Sequence, residues 1–78
     1  MLMLTPQQIT SLRKFLGWST TDLGSKLGVG QSSVVRWEKG DTHPRWGHQK
    51  ALNELLAEAR AKGFVLPPEL EPEEGVPA

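Results

Sequence analysis

Apolar residues recur along this chain at intervals of three and four, and glycines cut the recurrences into short blocks. Ile9, Leu12 and Leu16 share one face at helical spacing, and Gly17 ends the run. Leu23 and Leu27 lie one turn apart before Gly28. Val34 and Trp37 belong to a third block that closes at Gly40. A longer stripe of Leu52, Leu55, Leu56 and Ala59 precedes Gly63. Nothing alternates at the period of a strand. The pattern predicts an all-α fold with helices beginning at Pro6, after Ser19, at Gln31 and near Trp46, the last running to about Lys62.

The polar residues between the blocks agree with these starts. In Thr5-Pro6-Gln7-Gln8, a threonine sits at the cap, a proline at the first helical position and a glutamine three residues after the cap. That is a capping box, with the proline where its missing N–H costs nothing. Ser19 and Asp22 repeat the box. Leu4 with Ile9, Trp18 with Leu23 and Val29 with Val34 occupy staple positions across three successive helix starts. Gly30 is an acceptable cap but brings no hydroxyl. Gly40-Asp41-Thr42-His43-Pro44 is a turn with strong breaker chemistry.

Composition narrows the function classes. Seventy-eight residues make one domain. The absence of cysteine excludes a disulfide scaffold and a thiolate zinc site. No run approaches the length of a membrane span, and Met1-Leu2-Met3-Leu4 is too short and lacks the basic flank of a secretory signal. A soluble, cytoplasmic protein is expected. The net charge of zero hides an asymmetry. Residues 1–66 hold nine bases against five acids, a net +4, and residues 67–78 hold four glutamates and no base, a net −4. The first segment reads as the folded domain. The second reads as an acidic, proline-rich tail, extended or disordered and suited to engaging a protein partner. A basic body points to nucleic acid, while a solubilising tail on an ordinary domain explains the charge about equally well.

The two short helices joined by Leu27-Gly28-Val29-Gly30 form a helix-turn-helix candidate. On a helical wheel Val34, Trp37, Glu38 and Ser33 face one way. Ser32, Arg36, Lys39 and, at the edge, Val35 face the other, with Gln31 at the helix tip. Those groups suit a major groove. Arginine bonds guanine bidentately, glutamine pairs with adenine, serine serves either, and an apolar group meets the thymine methyl. Other chemistry finds no support. Ser32, Ser33, His43 and Asp41 come without a nucleophile elbow or a phosphate-cradling loop, so no catalytic residue and no enzymatic activity are expected. His43 and His48 lack the spacing of a metal pair, so neither metal nor cofactor is expected. Trp18 and Trp37 read as core, and Trp46 is open between core and surface. Leu52, Leu55, Leu56 and Phe64 carry more apolar surface than a small third layer easily hides, which predicts a two-fold interface there.

Residues 4–57 resemble the Xre family of helix-turn-helix domains, which includes phage repressor and Cro proteins. The resemblance rests on Leu12-Arg13, Leu16-Gly17-Trp18-Ser19, Leu23-Gly24, Leu27-Gly28-Val29, Ser33-Val34 and Arg36-Trp37-Glu38-Lys39-Gly40, followed by Pro44. It implies a compact, lambda-repressor-like domain of four to five helices that binds double-stranded DNA as a transcriptional repressor or regulator, dimeric on a near-palindromic site. An antitoxin-like role lies within the same class. Carried over position by position, base reading falls to Gln31, Ser32, Val35 and Arg36, and phosphate contact to Thr20, Lys39, Thr42 and Arg45. Arg13 and Glu38 are implied to meet as a partly buried ion pair. The chain departs from the family at Gly24, where alanine is usual, at Gly30, where a hydroxyl cap is usual, and in its single long last helix. A protein-interaction module that keeps the fold without binding DNA is the competing reading.

Overall fold

Each helix starts where its cap residues place it. The computed structural model describes residues 3–67 and contains α1 (Pro6–Phe15), α2 (Thr20–Leu27), α3 (Gln31–Lys39) and α4 (Trp46–Ala61). Both capping boxes form, Thr5 with Gln8 and Ser19 with Asp22. Gly30 caps α3 through backbone geometry alone, without a side-chain hydrogen bond. α1 stops at Phe15, one residue before the last apolar position of its series, and α4 at Ala61, one residue before the expected Lys62.

The ends share one device. The amide after each terminal glycine reaches back five residues, from Trp18 to Arg13, Val29 to Gly24, Asp41 to Arg36 and Phe64 to Ala59, at 2.8–3.2 Å. This closure satisfies carbonyls that the helix leaves open, and it places the glycine in the left-handed region. At Gly28, with φ of 77°, it lets the chain reverse between α2 and α3 within three residues.

The core is one cluster. Ile9 and Leu12 of α1, Leu23 of α2, Val34 and Trp37 of α3, and Leu52, Leu55, Leu56 and Ala59 of α4 are all buried, with Leu4 closing it at the chain start. Leu16, Trp18, Leu27, Val29, Phe64 and Leu66 pack around it half-buried. The expected surplus of apolar surface on α4 is therefore corrected. Leu52 is 0 % exposed and Leu55 and Leu56 are 3 % and 2 %. These leucines share one core with residues of α1 to α3, and the segment after Gly63 turns back against it, where Phe64 meets Phe15 with ring centroids 5.0 Å apart. Trp46, which the sequence left open, stands on the surface at 69 % exposure. Buried Gln49 of α4 accepts the backbone N–H of Leu4 at 3.2 Å and ties the chain start to the last helix. Of the proposed tail, residues 68–78 lie outside the described residues.

Candidate nucleic-acid interface

The outward face of α3 is set by its inward one. Val34 and Trp37 are buried, and Glu38 turns inward to meet Arg13. The helix thus has one orientation, with Gln31, Ser32, Arg36 and Lys39 exposed and Val35 half-buried at the edge. The Arg13–Glu38 pair forms as a fork. Nε donates to Oε2 at 2.7 Å and Nη2 to Oε1 at 3.1 Å, with the side chains 14 % and 12 % exposed. Nη1 donates to the Trp18 carbonyl at 2.9 Å. The hydrogen bond and charge of Glu38 raise the Arg13 pKa above its ordinary value, against an opposing effect of burial. The pair locks α3 against α1 and the turn that leads into α2.

Two groupings emerge among the candidate residues. Thr20 is the first residue of α2 and Gln31 the first of α3, and the Gln31 amide donates to the Thr20 hydroxyl at 3.0 Å. This bond joins a phosphate candidate to a reading candidate across eleven residues of sequence. No local pattern announces it, because it depends on how the turn sets the two helix starts side by side. Arg36, Thr42 and Arg45 border a common cleft of about 250 Å³, whose other walls are Val29, Ser33, Trp37, His43 and His48. Trp37 packs against His48, ring centroids 5.5 Å apart. Arg45 is the N-cap of α4 without a side-chain cap bond, and no acid occupies that helix's first turn. Guanidinium, imidazole and open backbone N–H groups therefore meet at one edge of α3, an arrangement suited to an anion such as phosphate. His43 and His48, for which the sequence supports neither a metal nor a catalytic role, gain a place in this edge through the turn at residues 40–45. Ser32, Val35 and Lys39 join α3's outward side without entering the cleft.

The turn itself explains a departure from the family. A Cβ on Gly24 would lie 2.8 Å from the Val29 carbonyl oxygen and 3.3 Å from the backbone of Gly30. The turn passes so closely over α2 that alanine is not interchangeable with glycine here. A Cβ on Gly30 would meet nothing nearer than the Ser32 hydroxyl at 3.9 Å, so the missing cap hydroxyl is not a matter of space.

Two short helices crossing over a three-residue turn, the second presenting polar groups outward, define a helix-turn-helix. Residues 9–45 match the family model described as Helix-turn-helix. That segment belongs to the Xre and lambda-repressor-like helix-turn-helix family, a family of DNA-binding domains. No curated protein and no solved structure matches the chain. No helix among the described residues is long and apolar enough to cross a membrane.

Proposed function

We propose that this protein reads a specific sequence of double-stranded DNA in the major groove and acts as a small transcriptional repressor or regulator, two copies occupying a near-palindromic site. The observation that carries the reading is the outward face of α3, where Gln31, Ser32 and Arg36 are exposed and Val35 lies half-buried at the edge, on a helix locked from behind by Arg13–Glu38. In this reading Arg36 forks a guanine edge, Gln31 and Ser32 meet neighbouring bases, and Val35 touches a thymine methyl. Thr20, Lys39, Thr42 and Arg45 hold phosphates and set the register. The Thr20–Gln31 bond supports it by fixing a holding group and a reading group at one offset.

The test is selection of a bound site from a random duplex pool, followed by a salt series on variants. Arg36→Ala is expected to lose about 1–3 kcal/mol on the selected site and to relax preference at one base pair. Arg45→Ala is expected to weaken all sequences alike and to lower the salt slope by about one. Full base preference in Arg36→Ala would remove the reading role from α3. Absence of salt-dependent binding to any duplex would favour a protein-interaction module instead.

A further inference from the structure

The face of α4 turned away from the core takes no part in the reading above. Trp46, Lys50, the adjacent Asn53 and Glu54, and Ala57 recur there about once per helical turn and line a shallow, open depression of about 530 Å³. At one end stands Trp46, the large exposed indole of this helix, and at the other the small, exposed Ala57. Lys50 lies with its ammonium 5.9 Å from the centre of the Trp46 ring. Among the described residues the ion pair is Arg13–Glu38, so Lys50 and Glu54 are not paired with each other although one helical turn separates them.

This stripe is its own complement when reversed. Lys50 and Glu54 stand two residues either side of Leu52, and Trp46 and Ala57 stand six and five residues from it. When two copies of one helix pack antiparallel about a two-fold axis, each residue meets the one at the mirror position of the other copy. With the axis level with Leu52, each Lys50 faces the Glu54 of the second copy. Each Trp46 then lies level with Glu58 at its mirror position and within one residue's rise, ~1.5 Å, of Ala57, whose missing bulk leaves room for the indole. A partner of unrelated sequence would have no need of such mirror placement.

We propose that this face of α4 is the surface on which a second copy of the chain docks, antiparallel, through paired Trp46–Ala57 and Lys50–Glu54 contacts. The proposal rests on the dimeric part of the reading above and gives it a location. α4 has sixteen residues and is about 24 Å long, so a pair of such helices covers less than the ~800 Å² per side of a standard interface. Association of the free protein is accordingly weak, and the second copy is held without any of the core leucines.

Sedimentation of the whole chain at about 0.15 M salt, where charges more than ~8 Å apart are screened, from micromolar to millimolar concentration tests this. The wild type is expected to move toward the dimer mass as concentration rises. Trp46→Ala, Lys50→Glu and Glu54→Lys are each expected to weaken dimerisation at least tenfold while keeping the same circular dichroism and thermal midpoint within a few degrees. The deciding arm mixes Lys50→Glu with Glu54→Lys at equal concentration. Position 50 of each copy then opposes position 54 of the other with opposite sign, and a mixed dimer is expected where neither variant pairs with itself. An effect confined to one helix cannot produce that recovery. A wild type that stays monomeric throughout, or a mixture no more dimeric than its components, overturns the proposal. Binding of the same variants to a random duplex is read separately. If salt-dependent DNA binding persists while the mixed dimer fails, the surface is wrong and the DNA reading stands. If the mixed dimer forms without DNA binding, the DNA reading fails alone.

Discussion

Arg13 uses its whole guanidinium. Two nitrogens fork Glu38 and the third takes the Trp18 carbonyl, so one side chain joins α1, α3 and the turn before α2. Removing it strands a carboxylate that is 12 % exposed. Arg13→Ala is expected to cost about 3 kcal/mol, the lower end for a broken buried pair, in urea denaturation. Arg13→Lys is expected to recover little of it, because an ammonium cannot fork a carboxylate and reach a carbonyl together. A near-neutral Arg13→Lys would show that charge alone matters. A separation of twenty-five positions hides this pair from any local pattern, and only the family resemblance brings the partners together. Gly24 was still less readable. Alanine normally stabilises a helix interior relative to glycine by up to ~1 kcal/mol. Here the added methyl would press on the Val29 carbonyl, so Gly24→Ala is expected to destabilise by about 1–3 kcal/mol, as overpacking does. A raised midpoint would mean that the turn yields more easily than its 2.8 Å approach implies.

At the level of elements, what was written locally in the chain was read correctly. Thr5 with Gln8 and Ser19 with Asp22 lie within one helical turn, so cap chemistry marked the starts of α1 and α2 to the residue. The outward face of α3 followed from the wheel because Val34 and Trp37 define its buried side within a single turn. What depended on a distant segment was misjudged. The leucines of α4 look excessive because nothing periodic announces that Phe64 and Leu66 return to pack against the same core. Trp46 stayed open because it heads its helix, with no preceding turn to give it a phase. The same helix start offers a simple gain. Gly47 has an ordinary backbone conformation, and a Cβ there would meet nothing within 4 Å. Gly47→Ala is expected to stabilise the fold by about 0.5–1 kcal/mol, visible as a rise in thermal midpoint. A fall would reveal a contact of the α4 start that the free chain does not display.

For the whole molecule, charge outweighs shape in long-range behaviour. The +4 of residues 1–66 is cancelled by four glutamates beyond them, so the full chain approaches DNA with no net charge. Deleting residues 69–78 is expected to strengthen non-specific duplex binding and to steepen its salt dependence. It should leave the thermal midpoint nearly unchanged, since that segment is hydrophilic, proline-rich and without helical periodicity. Weaker duplex binding by the shortened chain at matched salt would assign the tail a positive part in recognition. The fold also brings residues 5 and 67 together. The Gln8 carboxamide accepts the Thr5 N–H through its oxygen at 3.0 Å and donates through its nitrogen to the Pro67 carbonyl at 2.8 Å. One planar amide thus clasps residues 5 and 67 and makes the described chain a nearly closed ring. The clasp stands beside the end of α3, where a Cβ on Gly40 would come within 3.7 Å of Pro6. Cargo attached beside residue 5 or residue 67, whether a reporter or a cross-linker, would therefore be delivered to the same corner of the molecule, next to the edge assigned to phosphate.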